Sequence, residues 1–185
     1  MKVNVYIGYD GREDENKKFP DIVNPPYSVA RYSILKNYKG DKKDLSIQPI
    51  KLQEQIDAGL YWREEDPLAS TEFTYSRFLT PYLNNYKGMA IFCDSDLLWQ
   101  CDIRELIEYY DEKYSVMCVH HDYDPPEKTK MDGRIQTHYP RKNWSSMMVF
   151  NCSHVDCKNL SVENVNIKEA KYLHRMGWTD DNSIG

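Results

Sequence analysis

"MAIFCDSDLLWQCDI", residues 89–103, decides how this chain is read. Met89, Ala90, Ile91, Phe92 and Cys93 form an apolar run that predicts a buried strand. The run meets two aspartates, Asp94 and Asp96, and apolar residues resume at Leu97, Leu98 and Trp99. Two carboxylates beside a dry strand repel each other and resist desolvation, so a positive group is expected nearby. On an extended chain, residues i and i+2 point the same way, which would aim both carboxylates at one hard cation. Oxygen-only ligation favours Mg²⁺ or Mn²⁺. The plainer reading ends the strand at Asp94 and caps a turn with Asp96, with no metal.

Outward from this stretch, apolar runs alternate with helical spacing, which predicts an α/β domain with a mostly parallel sheet. "VNVYIGYD" is a strand ending near Gly8 and Asp10. Tyr27, Ala30, Arg31, Ile34, Leu35 and Tyr38 follow helical spacing after Pro25-Pro26. "LSIQPIKL" is a second strand, placed at an edge by Pro49. Residues 71–86 read as helical with a break at Pro81. Asp102 and Glu105 stand in capping-box relation ahead of Leu106, Ile107 and Tyr110. "YSVMCVH" and "SSMMVFN" are further strands, separated by a long polar segment over residues 121–143. In a parallel sheet, ligands bind at the carboxyl ends of strands. Gly8–Asp10, Asp94–Asp96, His120–Asp122 and Asn151 all fall at predicted strand ends.

Composition narrows the function classes. Hydrophobic residues make up 41% of 185, as in a globular chain of one domain, residues 1–185. A net charge of -5 with interspersed signs argues against nucleic-acid binding. No apolar run approaches the roughly 18 residues of a membrane span. The amino terminus is too short and polar for a signal peptide, so a cytoplasmic location is expected. The five cysteines, oddly numbered and widely spaced, read as reduced thiols. "NCSHVDC" lacks the second ligand pair of a zinc site.

Two enzyme classes use an apolar strand followed by D-x-D. Haloacid-dehalogenase-like phosphatases place the motif near the start, not after ninety residues, and carry Thr or Val where this chain has Leu98. The segment "TEFTYSRFLTPYLNNYKGMAIFCDSDLLWQCDIRELIE" resembles instead the core of family 8-like glycosyltransferases of the GT-A fold. These carry T-Y-x-R-[LF], an apolar strand, D-x-D and "DI-x-EL". "QTHYPRKNWSSMMVFNC" and "HRMGWTDDNSIG" resemble later segments of small bacterial and viral members, so the resemblance spans Val3 to Gly185.

The resemblance implies a role for each matching residue. Asp94 and Asp96 would bind Mn²⁺ or Mg²⁺. Gly8, Tyr9, Asp10 and Arg12 would form the nucleotide pocket, and Arg77 would reach the diphosphate or donor sugar. Asp122, Ser145 and Ser146 would lie near the sugar, with Asp180 and Asp181 lining the reaction centre. It also implies a third metal ligand, a histidine in a C-terminal H-x-x-G-x-x-K-P-W-like motif. This sequence lacks that motif, as a C-terminally truncated version would. The expected activity is retaining transfer of a sugar from a nucleotide-sugar, a UDP-sugar above all, to a hydroxyl acceptor. The alternative is a nucleotide-sugar-binding relic without turnover.

Overall fold

The computed structural model describes residues 2–12, 25–121, 141 and 143–185. The described residues contain five strands: β1 (Val3–Tyr9), β2 (Leu45–Lys51), β3 (Met89–Cys93), β4 (Val116–Cys118) and β5 (Met147–Asn151). They form one sheet in the order β2-β1-β3-β5-β4. β1 pairs in parallel with β2 and β3, whereas β5 runs antiparallel to β3 and β4. Four of the five strands therefore run the same way, so the sheet is mostly parallel, and Pro49 lies on an edge strand, where a proline is tolerated.

Alternation along the strands sends side chains into two cores. Val3, Val5, Ile7, Ile91, Cys93 and Val149 pack with Ala30 and Ile34 of helix α1 (Pro26–Asn37). Tyr6, Ala90, Phe92, Met148 and Phe150 face the other way. They meet Phe73, Phe78 and Leu79, together with Val165 of α4 (Val162–Ile167) and Leu173 of α5 (Ala170–His174). Two short helices, α2 (Leu52–Asp57) and α3 (Thr80–Leu83), lie between α1 and α4 in sequence. Burial on both faces explains why β3 reads as an unbroken apolar run.

Three expectations need correction. Residues 71–86 are not one helix: a turn leads into a 3₁₀ segment, Ser76–Leu79, and then into the single α-turn of α3. Pro81 sits in that first turn, where its missing N–H is harmless. The segment after Asp102 is 3₁₀, not α, over Ile103–Tyr109. Asp102 caps it by accepting from Arg104 N at 3.0 Å, not through the Glu105 position of a capping box. Finally, β5 is antiparallel, with Met147 opposite Cys93 and Asn151 opposite Met89. Asn151 therefore leaves the cluster of strand ends, and the start of β5 takes its place beside Asp94.

The cysteines are free thiols, and Cys93, Cys152 and Cys157 are buried. Among the described residues, no helix is long and apolar enough to cross a membrane.

A Cβ on Gly8 would lie 2.5 Å from the Phe73 ring, so Gly8→Ala must push that ring aside. Overpacking of this kind costs about 1–3 kcal/mol, readable as a lowered urea midpoint. Asp102 is 4% exposed, and its pKa is held down at about 2, first by the Arg104 side chain and then by the Arg104 and Lys39 amides. A folded pKa below the unfolded value gives stability that is present above about pH 4 and lost as pH falls toward 2. Asp102→Ala should cost about 1–2 kcal/mol at pH 7, and the gap to the parent should narrow between about pH 4 and pH 2 in denaturant titrations.

Candidate functional site

The carboxyl ends of β1, β2 and β3 and the start of β5 share one edge of the sheet. The positive group anticipated beside the aspartates is Arg77. Its Nη1 donates to Asp94 Oδ1 at 2.7 Å and to the Ser145 carbonyl at 2.8 Å. Its Nε donates to the carbonyls of Phe73 and Thr74, each at 3.2 Å. The guanidinium carbon lies 5.2 Å from the ring centres of both Phe73 and Phe92. Arg77 is 6% exposed, so its charge depends on these partners.

Asp94 follows β3 directly, and its amide donates to the Ser146 carbonyl at 2.8 Å. Burial raises its carboxyl pKa to about 6; Arg77 pulls it down, and the charge of Asp96 pushes it up again. The chain turns at Ser95–Asp96 instead of running extended, with Ser95 buried and Asp96 exposed. The two carboxylates still sense each other's charge. Cys93, fully buried next door, has its thiol pushed up to about 12, chiefly by burial.

The end of β1 forms the second part. Gly8 lies against Phe73. Asp10 is buried, and its oxygens accept from the Arg12 amide at 3.1 Å, the Arg12 side chain and the Glu72 amide. Burial alone would raise its carboxyl, but the hydrogen bonds and charge of Arg12, with the Glu72 amide, outweigh burial and lower it. Arg12 also reaches the Ser70 carbonyl at 3.0 Å, and Gly11 N donates to Glu72 at 3.0 Å. Asp10 and Arg12 thus tie strand β1 to residues 70–72. Tyr9 stands edge-on to Tyr27 at 5.6 Å, with Lys51 Nζ 5.2 Å from its ring centre. Tyr9, Gly11, Arg12, Lys51, Glu54 and Glu72 border an open depression of about 450 Å³.

The remaining anticipated residues divide. Ser145 and Ser146 lie beside Asp94, contributing their carbonyls to the contacts above. Ser146 Oγ donates to the Asn143 carbonyl at 2.8 Å. Asp180 caps a 3₁₀ turn, accepting from Asn182 N at 2.8 Å, while its own amide donates to Asp156. Asp181 pairs with Arg141, whose guanidinium carbon lies 5.7 Å from the centre of the Trp144 ring. Asp181 thus connects through Arg141 to the neighbour of Ser145. Asp122 lies outside the described residues. Among the described residues, no three His, Cys, Asp or Glu side chains are placed to share a metal ion.

Sequence reasoning missed His174 and Glu72. Both lie inside quoted segments, but nothing in those segments shows their partners, since their contacts cross 29 and 61 positions. His120 stacks flat on Trp144, ring centres 4.0 Å apart, which makes Trp144 one half of an aromatic pair.

No family model matches the sequence. A relative from Arabidopsis thaliana, "Protein CDI", is 48% identical over 181 residues, covering 98% of this chain and 65% of that protein. The chain therefore spans less than two thirds of that relative's length. The WbbM bifunctional glycosyltransferase in its apo structure superposes with a TM-score of 0.61 at 14% identity, over 99% of this chain and 38% of that one. Mouse xyloside xylosyltransferase 1 in its apo form gives 0.54 at 11% identity, over 100% of this chain and 84% of that one. The sheet and its flanking helices have the GT-A glycosyltransferase fold.

Proposed function

We propose that this chain, acting as one domain, is a family 8-like glycosyltransferase of hexosyltransferase type. It would move a sugar from a nucleotide-sugar, a UDP-sugar above all, to a hydroxyl acceptor with retention. One observation carries the reading. A buried arginine grips the first carboxylate of a D-x-D pair at the carboxyl edge of a GT-A sheet, and that carboxylate still has a raised pKa.

The residues present fit a divalent ion. Asp94 offers its second oxygen, since Arg77 takes Oδ1, and Asp96 is exposed beside it. Burial leaves Asp94 short of positive charge even with Arg77 in place. Mn²⁺ or Mg²⁺ held there would neutralise charge on the departing diphosphate. The chain's own residues supply the positioning. The depression beside Tyr9 and Lys51 would take the nucleoside, with Asp10 and Arg12 fixing its wall. Arg77 holds Asp94 in one orientation and places a fixed positive charge near the phosphates. Ser145 and Ser146 would border the sugar, and Asp122, Asp180 and Asp181 would stabilise positive charge developing on it.

The metal pair is tested by Asp96→Ala. This variant should keep its fold and lose Mn²⁺-dependent binding of UDP by calorimetry; equal affinity with the parent removes the metal from the reading. Arg77→Lys tests the phosphate side, because lysine cannot reproduce a fork that binds two acceptors at once. Its affinity for a UDP-sugar should fall about tenfold, or about 1.4 kcal/mol, with uridine binding little changed. Equal losses for both ligands would place Arg77 away from the phosphates. Release of UDP from UDP-sugars separates a transferase from a protein that only binds them.

A further inference from the structure

His174 ends α5, far in sequence from the aspartates, and the roles proposed above leave it unused. Its ring touches both the serine whose carbonyl Arg77 holds and the segment that carries Arg77. On one side, Nδ1 lies 3.0 Å from Ser145 Oγ, and the carbonyl of that same serine accepts from Arg77. On the other side, the ring stands edge-on to Tyr75 at 5.8 Å and to Phe78 at 5.1 Å, which flank Arg77 in sequence. Tyr75 is itself anchored, because its hydroxyl donates to Asp66 and the Arg63 guanidinium carbon lies 4.0 Å from its ring centre. The imidazole therefore spans the gap between the segment carrying Arg77 and the carbonyl that seats it.

We propose that His174 is a positioning residue for the candidate cation site. Through Ser145 and the Tyr75–Phe78 segment it sets where the Arg77 guanidinium lies, and so how Asp94 is presented. This rests on the transferase reading only for its binding consequence; the effect on Arg77 is independent of any ligand. A ring that merely filled the core would need its shape and not its nitrogen, and two substitutions separate those roles. His174→Phe keeps an aromatic ring and removes the hydrogen bond to Ser145. His174→Asn gives up much of the packing but keeps a polar group near the place of Nδ1.

The first readout is the Arg77 Nε–H signal in nitrogen-edited NMR of the whole chain. It should be sharp and slow to exchange in the parent, fast or broadened in His174→Phe, and largely restored in His174→Asn. The second is calorimetric affinity for UDP in Mn²⁺. This should fall about tenfold in His174→Phe and return to within about threefold of the parent in His174→Asn, whose melting temperature is nonetheless the lower. Ser145→Ala should weaken binding as His174→Phe does, and the double variant should lose no more than either alone. An unchanged Arg77 signal in His174→Phe, or losses that add in the double variant, would overturn the proposal. A parent that binds no UDP, with the Arg77 signal still responding to His174, would sink the transferase reading and leave the positioning role standing.

Discussion

The Arg77–Asp94 pair is the interaction on which the rest of this site depends. Removing a guanidinium and a carboxylate from water costs several kcal/mol per ion, and their attraction offsets this only where geometry is good and the remaining hydrogen-bonding capacity is used. Here Arg77 has carbonyl acceptors from Phe73, Thr74 and Ser145 besides the carboxylate. These acceptors come from two separate stretches of chain, and Asp94 comes from a third. The pair is therefore a consequence of the whole fold as well as a clamp on it. Deleting one partner would strand the other, and such losses run to about 3–5 kcal/mol in buried pairs.

Sheet topology makes the clamp possible. Because β5 is antiparallel to β3, its first residues lie beside the last residues of β3. The carbonyls of Ser145 and Ser146, just ahead of β5, then face the Asp94 amide and the Arg77 side chain. A parallel β5 would have brought Asn151 to this edge. In the observed sheet Asn151 works at the opposite end, donating to the Glu112 carbonyl at 2.9 Å and holding the entry to β4.

Much of this was legible in the sequence, for physical reasons that differ by element. β3 declared itself because burial on both faces leaves no polar position in the run, and β2 declared its edge through Pro49. The cost of two carboxylates beside β3 pointed to a cation before any coordinates, though not to which residue supplied it. That partner lies 17 positions upstream, a distance no periodicity encodes. Strand direction was equally hidden, since an apolar run reads the same both ways. The segment around Arg77 keeps a helical spacing of apolar residues, yet folds as turn, 3₁₀ and a single α-turn. Tertiary demands on Phe73, Arg77 and Phe78 override the local preference there. The contacts of His174 were hidden because they bridge two segments, neither adjacent to it in sequence.

Asp10 and Asp94 make the sharpest contrast at this edge. Both follow a buried strand and both pair with an arginine, yet their carboxyl groups shift in opposite directions. The Asp10 oxygens are taken up by the Arg12 amide, the Arg12 side chain and the Glu72 amide, so its ionised form is fully accommodated. That is the signature of a group whose work is structural. Asp94 has one guanidinium nitrogen at Oδ1, a competing charge at Asp96 and a dry strand behind it. The carboxylate balances the buried Arg77 charge, yet Arg77 does not in turn offset the burial of Asp94 and its repulsion from Asp96. An imperfectly satisfied carboxylate at a strand end is the arrangement expected where a cation completes the electrostatics. The same fold thus holds one aspartate whose oxygens are taken up by its neighbours and another whose charge its neighbours offset only in part.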